Sequence, residues 1–443
     1  MRDRARAGGD AGISAARPPS AIHRQATSGA EPYDPAMTRW RNLSIAAGAA
    51  AAALFAAFDV YQWLAAYASD HFHNDFTFYY AAARIGATHG WQSIYDLDLM
   101  QAQLNAMGSG IGVAQLARYI SPPPVAWLAL PFTLLPYPLA YWIWSSLLLI
   151  ALAGTWYLAA PGAGRLRLIH LLAALGWVPV IYGLQLGQPG IFVAFGVVGS
   201  YALLRSGRSF EAGLALGTIV LKPQLGFLVP IALLVAGRYR AFSGAVVAIG
   251  LLAIASAINV GPAGISAYEQ RLSFAAGVAT NRELTLAPYL GDLTVTRAIQ
   301  AAIAFWALAL VYRFRNRSVE WIFVPAIIGG IAASPYLHID DLVMLGLAGW
   351  MFLRIRKRPA WSWAFVLAMF IAIEGITEWG PLPLLAGEIA VLVLLSVAAL
   401  KHDDGDAEHD RAERQHDAGL QRDGEHLAVD RQTESLDKRA GTT

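Results

Sequence analysis

The residues from His71 to Asp75 hold two histidines, an asparagine and an aspartate immediately after the first long apolar stretch of the chain. A carboxylate here, close to the membrane plane, can accept the proton of a hydroxyl group and so act as a general base. Asn74 or Asp75 also suits the N-terminal cap of the following helix, because a side-chain oxygen there accepts a backbone N–H bond. Both roles stay open for Asp75. A metal site formed by His71, His73 and Asp75 is weakly indicated, because one short loop offers three ligands and no fourth.

Lys222 interrupts the apolar run 213–230. The chain has four lysines, and the other three lie in the C-terminal tail or in a basic loop. An isolated cation in an apolar segment indicates a functional site, and a phosphate is a natural partner for it. A lysine whose ammonium reaches the membrane interface is the alternative. Basic residues flank the segment 211–237, which is therefore predicted to form a hairpin of two short helices that turns at Lys222-Pro223.

Two more polar breaks lie between apolar stretches. Gln188, in a Gly-Gln-Pro sequence, either contacts a sugar or satisfies backbone groups at the break. His338 and Asp341 belong to the sequence Ser-Pro-Tyr-Leu-His-Ile-Asp-Asp, which offers ligands for a metal, a sugar or a phosphate. Capping of the next helix by Asp340 or Asp341 is the alternative.

The loop 67–121 supplies three further candidates. Tyr79 and Tyr80 offer aromatic faces on which a sugar can stack, and Arg118 can hold a phosphate. Aromatic belts at the membrane interface account for most of the 14 tryptophans, so an aromatic residue alone does not indicate a sugar site.

The composition identifies the setting of these residues. Of the 443 residues, 56% are hydrophobic and 14% are charged, whereas a soluble protein carries roughly 25% charged residues. There is no cysteine, which excludes disulfides, cysteine-ligated metals and thiol catalysis. A soluble enzyme, a nucleic-acid binder and a fibrous protein all fit poorly. The pattern predicts an all-α polytopic membrane protein. The chemistry considered for these residues requires no cofactor and no metal in principle, because Lys222 and Arg118 would already hold a departing phosphate.

Basic clusters set the predicted topology. The apolar stretches are 43–66, 122–160, 166–184, 189–204, 211–237, 241–260, 292–312, 320–336, 341–353, 360–378 and 381–400. Arginines beside the first stretch and in four later loops place both tails in the cytoplasm, so the number of spans is even. The count is about twelve. Residues 1–42 and 401–443 are predicted to be disordered cytoplasmic tails around a membrane domain of residues 43–400. In the outer loop 67–121, the run 76–88 is predicted to lie along the membrane surface.

Five of these segments resemble one known family. The sequences NDFTFYYAAARIG, YISPPPVAWLALPFTLLP, LGQPGIFVAFGVV, AGLALGTIVLKPQLGFLVPIALL and SPYLHIDDL occur in that order. Each is weak alone, but the ordered set resembles glycosyltransferase family 87 over about residues 43–400. The triple proline and the double acid at 340–341 have no clear counterpart.

The resemblance implies a GT-C fold, an extracytoplasmic active site and a lipid-phosphate sugar donor, typically polyprenyl-phosphate mannose. Asp75 matches the aspartate of the family's first loop, the expected general base. Lys222 matches the lysine of its Lys-Pro segment, Gln188 the glutamine of its Gly-Gln segment, and His338 a polar position after its Ser-Pro. Asp75 would deprotonate the acceptor, while Lys222 and Arg118 would stabilise the departing phosphate.

The sequence thus predicts an inner-membrane enzyme that transfers a hexose, most plausibly mannose, to a glycolipid or glycan, with inversion. A transporter or lipid flippase also predicts many spans and buried charge, but it does not need a 55-residue outer loop with an acid at its start. A structural envelope subunit needs none of the polar breaks. Convergence of Asp75, Gln188, Lys222 and His338 on one cavity is expected of the enzyme.

Overall fold

The computed structural model describes residues 35–113, 119–355 and 382–400. Within these residues the fold is all-α and contains no strand. The helices are α1 (Pro35–Ser69), α2 (Phe76–His89), α3 (Leu97–Ala106), α4 (Pro123–Ala129), α5 (Tyr137–Ala159), α6 (Gly164–Leu175), α7 (Val178–Leu186), α8 (Gly190–Arg205), α9 (Ser209–Ala215), α10 (Leu228–Val235), α11 (Tyr239–Gly277), α12 (Ala287–Leu290), α13 (Leu293–Phe314), α14 (Glu320–Ala332), α15 (Val343–Ile355) and α16 (Leu382–Leu400). Arg118, the apolar stretch 360–378, the C-terminal tail and most of the N-terminal tail lie outside the described residues.

The chain divides into two compact units, residues 1–46 and 47–443. In the first unit the described residues form the start of α1, which begins at Pro35, before the predicted start of the span at residue 43. The second unit carries all the candidate residues that the structure describes.

Within the described residues, five helices are long and apolar enough to cross a membrane. They are Asn42–Ser69 within α1, Tyr137–Ala159, Tyr239–Gly277, Leu293–Phe314 and Leu382–Leu400. The pair Arg167–Leu175 and Val178–Leu186 adds a sixth if its halves, bent by 59°, count as one span. The chain is therefore a multi-pass membrane protein.

The predicted count of twelve spans is not confirmed. Several apolar stretches form helices that are too short to cross the membrane unaided, including Gly190–Arg205 and Glu320–Ala332. Thirteen helical residues rise only about 20 Å, against a hydrocarbon core of about 30 Å. An apolar stretch avoids water either in lipid or inside the protein. In this chain some apolar helices lie inside the protein, since every residue of Glu320–Ala332 is buried.

The helix predicted at 76–88 forms as α2, but its position differs from the prediction. The ten residues from Phe76 to Gly86 other than Arg84 are buried, and α2 packs against α3, α4 and the 3-10 helix Leu130–Leu134. A helix on a membrane surface keeps one polar face in water. Because α2 is enclosed by α3, α4 and the 3-10 helix that follows α4, it belongs to the protein interior.

The break predicted at Lys222-Pro223 is present. The 3-10 helix Leu216–Leu221 ends there, and a second short 3-10 helix, Pro223–Leu225, follows. Lys222 itself has φ −146° and ψ 81°, outside the α-helical region that a following proline disfavours. The backbone is thus bent where the isolated lysine lies, and its side chain is directed into the protein.

Candidate functional site

The turn between α1 and α2 decides which side chain caps α2. The backbone N–H of Thr77 donates to Oδ1 of Asn74 at 3.2 Å, and Asp75 makes no side-chain capping bond. Asn74 is fixed in turn by its Nδ2, which donates to the carbonyl of His71 at 2.9 Å, and by the hydroxyl of Tyr137, which donates to Oδ1 at 3.0 Å. Capping is therefore the role of Asn74, and the carboxylate of Asp75 is available for another role.

Gln188 is the direct partner of Asp75. Its Nε2 donates to Oδ2 of Asp75, and its Oε1 accepts a bond of 3.2 Å from the hydroxyl of Tyr79. The backbone N–H of Asp75 also donates to the carbonyl of Leu186 at 3.0 Å. The start of α2 and the end of α7 are thus joined by backbone and side-chain bonds.

Gly187 makes this approach possible. Its φ of +71° ends α7 in the left-handed conformation, which glycine adopts without a Cβ penalty. A Cβ at this position would lie 2.8 Å from the Cβ of Phe76. The indole N–H of Trp144 donates to the carbonyl of Gly187 at 2.8 Å. The Gly-Gln-Pro sequence therefore forms a tight turn that directs Gln188 back toward α2.

Lys222 lies between two carboxylates. Its Nζ is 2.5 Å from Oδ2 of Asp340 and 2.6 Å from Oδ1 of Asp341. The Lys222 side chain is 10% exposed, and those of the two aspartates are 2% and 0% exposed. A lysine reaching for the membrane interface does not fit this geometry, because the ammonium is held inside the protein. The sequence indicates only a capping role for Asp340, although a buried lysine requires a counter-ion and an acidic pair is present at 340–341.

His338 joins the cluster through its backbone. Its N–H donates to Oδ2 of Asp341 at 3.0 Å, and its ring Nε2 lies 2.8 Å from the hydroxyl of Tyr336. Both oxygens of Asp341 are thus engaged, one by Lys222 and one by this amide. Asp341 is fully buried. It therefore fixes Lys222 and the backbone of His338 in place and offers no surface to a substrate.

Electrostatics link Asp75 to the lysine cluster. Burial is the main cause that raises the pKa of the Asp75 carboxyl from 3.8 to about 6, and the negative charge of Asp340 raises it further. Lys222 and the bond from Gln188 act in the opposite direction. Asp75 retains some accessible surface. A carboxyl group with a pKa of about 6 is suited to accept a proton near neutral pH.

Tyr79 and Tyr80 point toward different parts of the structure. Tyr79 lies at the cluster through its bond to Gln188, and its ring is 6.3 Å from that of Tyr119. Tyr80 is directed elsewhere: its hydroxyl donates to the carbonyl of Leu135 at 2.9 Å. Adjacent residues of a helix point in different directions, so only one of the two tyrosines can reach the cluster.

Two cavities lie beside the turn 70–75. One, of about 310 Å³, is lined by residues that include Asp70, His73 and Asn74. The other, of about 440 Å³, is lined by residues that include His71, Tyr80 and Arg84. Neither is lined by Asp75 or Lys222. The expected convergence on one cavity is not seen. Asp75 and Gln188 contact each other, and Lys222 is joined to the backbone of His338 through Asp341, but none of these residues lines either cavity.

No group of three or more histidines, aspartates or glutamates in the described part of the chain is arranged to hold a metal ion. What the cluster offers is a carboxylate, an ammonium held by two carboxylates, and amide and hydroxyl groups. This set can move a proton and can bind a neutral hydroxyl or an anion.

The family model for glycosyltransferase family 87 matches residues 119–372, more than half of the chain. The match includes Gln188, Lys222 and the loop from His338 to Asp341 and begins after Asp75. No curated protein and no solved structure matches the chain.

Proposed function

Because the chain belongs to glycosyltransferase family 87, we propose that it moves a hexose, mannose in the first instance, from a polyprenyl-phosphate donor to an extracytoplasmic glycolipid or glycan. Family membership makes the protein a membrane glycosyltransferase with a sugar donor and an acceptor. The lipid-phosphate donor rests on the motif resemblance. The location at the outer face of a bacterial inner membrane rests on the basic loops, which favour cytoplasmic tails.

The observation that carries the proposal is that the Asp75 carboxylate does not cap α2. It is bonded to the amide of Gln188, and it lies within electrostatic range of Lys222 and Asp340. A carboxylate whose purpose was structural would bond the backbone of its own helix, as Asn74 does.

In the proposed reaction Asp75 accepts the proton of an acceptor hydroxyl. The oxygen attacks the anomeric carbon of the donor from the face opposite the phosphate. A bond forms between that oxygen and the carbon, and the carbon–oxygen bond to the phosphate breaks with its electron pair on the phosphate oxygen. The configuration at the carbon is inverted by this in-line displacement.

Lys222 is proposed to stabilise the leaving phosphate. An ammonium has three N–H donors, and two of them bond Asp340 and Asp341. The third is available for a phosphate oxygen, which would approach a pre-positioned cation. Arg118, outside the described residues, is proposed as a second phosphate partner.

Contacts to the sugar are proposed for Gln188, Tyr79 and His338, which lie in or beside the cluster. Tyr80 points away from the cluster and Asp341 is enclosed by protein. Contacts of these two residues with substrate therefore require a rearrangement of the site when substrate binds. A lipid flippase shares the composition, but family membership supports transfer.

The test is a transfer assay with the purified protein in lipid nanodiscs. A panel of polyprenyl-phosphate sugars is incubated with octyl glycosides as acceptors, and the products are examined by NMR. We expect transfer from at least one donor, with a β-linked donor sugar giving an α-linked product. The Asp75→Asn variant provides the control for contaminating activity.

Two results would contradict the proposal. Absence of both transfer and donor hydrolysis with every lipid-phosphate sugar, in folded protein, would remove the donor assignment. A product that keeps the donor's configuration would remove the single-displacement mechanism and the role of Asp75 as base.

A further inference from the structure

Tyr79 reaches the proposed base indirectly, through Gln188. Its hydroxyl donates to Oε1 of Gln188 at 3.2 Å, and Nε2 of the same amide donates to the carboxylate of Asp75. The sequence singles out Tyr79 as an aromatic face for a sugar, but the residue is only 4% exposed. Its hydroxyl, bonded to Gln188, is therefore the part of Tyr79 that connects to the base.

Aromatic neighbours hold the ring of Tyr79 in place. Its centroid is 6.3 Å from that of Tyr119 and 6.3 Å from that of Trp144. All three residues are buried. The indole N–H of Trp144 also bonds the carbonyl of Gly187, in the turn that carries Gln188. The Tyr79 hydroxyl and the Gln188 amide thus share one support, which keeps them against each other.

The amide of Gln188 can face Asp75 with either of its two ends. The Nε2 end donates and favours the ionised carboxylate, whereas the Oε1 end only accepts and favours the protonated carboxyl. The end that faces Asp75 depends on what bonds the other end. Because Gln188 is buried, that partner has to come from the protein, and in the structure it is the Tyr79 hydroxyl.

Ser121 decides which way the Tyr79 proton points. Burial is the main cause that raises the pKa of the Tyr79 hydroxyl, and the negative charges of Asp75 and Asp340 raise it further. A hydrogen bond with the Ser121 side chain lowers it. A bond has this effect when it is donated to the hydroxyl oxygen. Ser121 is therefore the donor to Tyr79, and the proton of Tyr79 is directed to Gln188.

We propose that Tyr79 is a positioning residue, whose hydroxyl holds the Gln188 amide with its N–H groups toward Asp75. This role rests on the proposed function, because it acts on the proposed general base. It differs from the sugar contact proposed above for Tyr79, since it needs no contact with substrate. Without the hydroxyl, the amide is free to turn. Both of its ends bond a protonated carboxyl, but only one bonds the ionised form, so the ionised form loses support.

Other charged and titratable groups also surround Asp75. Lys222, Asp340 and His73 act on it through their charges. Tyr182 and Tyr336 lie within electrostatic range of its carboxylate. A change of Tyr79 to phenylalanine leaves all five groups in place, so its effect on Asp75 reports the hydroxyl alone.

The test follows the ionisation of Asp75 directly, in lipid nanodiscs between pH 5 and 9. The infrared carboxyl band that is absent from Asp75→Asn reports this residue. The variants are Tyr79→Phe, Gln188→Leu and the two combined. The control is Tyr201→Phe, which also loses a buried hydroxyl bonded to a side chain, that of Glu320. The KM values for donor and acceptor are measured in the same proteins.

We expect the midpoint, near pH 6 in the wild type, to rise by roughly half a unit to one unit in Tyr79→Phe, the effect of one hydrogen bond. Gln188→Leu should raise it as well. The combined variant should match Gln188→Leu, because Tyr79 acts through the amide. Tyr201→Phe should match the wild type. At pH 8.5 the KM values should be the same in Tyr79→Phe and in the wild type.

An unchanged midpoint in Tyr79→Phe would overturn the proposal, as would a further rise when Tyr79→Phe is added to Gln188→Leu. A raised KM with an unchanged midpoint would assign Tyr79 to the sugar instead. Failure of the proposed function looks different, because the wild type would then neither hydrolyse nor transfer from any lipid-phosphate sugar. The infrared titration needs no substrate, so it would still decide whether Tyr79 acts on Asp75.

Discussion

The side-chain amide of Gln188 donates a hydrogen bond to the carboxylate of Asp75, although 113 residues separate the two in the chain. The bond joins the start of α2 to the turn after α7, and it leaves the cap of α2 to Asn74. It also stabilises the ionised form of Asp75, against the burial that raises its pKa.

Replacing Asp75 with asparagine should lower turnover by roughly 100-fold or more, the usual contribution of acid–base catalysis, because an amide does not accept a proton at neutral pH. The control is Asp96→Asn, since Asp96 caps α3 through bonds to the N–H groups of Asp98 and Leu99. Asparagine caps a helix as well as aspartate does, so this variant should keep its turnover. Single-turnover transfer assays compare the two, and equal rates would return Asp75 to a structural role.

The same Asp75→Asn variant should be at least as stable as the wild type at pH 7.5. The pKa of the carboxyl is raised in the folded state to about 6 from 3.8, so its ionisation destabilises the fold as the pH rises between these values. Above about pH 6 the penalty is fully present, and below about pH 4 it disappears. Thermal unfolding at pH 4 and pH 7.5 measures the difference, and a variant that is much less stable at pH 7.5 would contradict the assigned direction.

The pH profile of transfer should show an acid limb near pH 6. Below that pH the base is increasingly protonated, and kcat/KM should fall by about tenfold per unit. Gln188→Leu removes a bond that favours the ionised form, so the limb should move to higher pH. Profiles between pH 5 and 9 test this, with residual Asp75→Asn activity expected to lack the limb. A limb that stays in place in Gln188→Leu would show that another group titrates.

Replacing Lys222 with methionine should destabilise the protein by about 3–5 kcal/mol, because it leaves two buried carboxylates without their counter-ion. The ammonium contacts Asp340 at 2.5 Å and Asp341 at 2.6 Å. The double variant Lys222→Met/Asp341→Asn removes one of these charges and should recover part of the loss. Denaturant unfolding in detergent measures both. An unchanged unfolding midpoint in the single variant would mean that the ammonium is not paired in this way.

A second buried acid allows structure to be separated from function. Glu320 accepts a bond from the hydroxyl of Tyr201 and lies within 3.7 Å of Arg205 and 3.9 Å of Arg354. Its partners Tyr201 and Arg205 lie toward the end of α8 that is farther from Gln188, roughly 20 Å along the helix axis. Glu320→Gln should lower stability by about 1–3 kcal/mol through weakened charge-assisted bonds, while the folded fraction keeps normal transfer kinetics.

The control for this cluster is Glu211→Gln. Glu211 pairs with Arg208 at 3.4 Å, and both side chains are largely exposed to solvent. Solvent screens such a pair, so its loss should leave the unfolding midpoint unchanged. If Glu320→Gln lowered turnover in folded protein, the two ends of α8 would be functionally coupled.

The helical membrane setting and the polar breaks between apolar stretches follow from the sequence alone. Low charge and long apolar stretches require burial away from water, so helices form where the hydropathy predicts them. The isolated Lys222, with proline after it, predicted both a break and a buried cation. Gln188 between Gly187 and Pro189 predicted a polar turn. These inferences succeed because each depends on local preferences or on the cost of burying one group.

Tertiary structure decided what local rules leave open. Hydropathy does not distinguish a lipid-facing helix from one enclosed by protein, so the number of spans and the burial of α2 did not follow from it. Asn74 and Asp75 are equivalent as caps, and only the packing of the turn assigned the bond to Asn74. The counter-ions of Lys222 lie 118 and 119 residues further along the chain. Such pairing depends on how distant segments pack, and no spacing within the sequence encodes it.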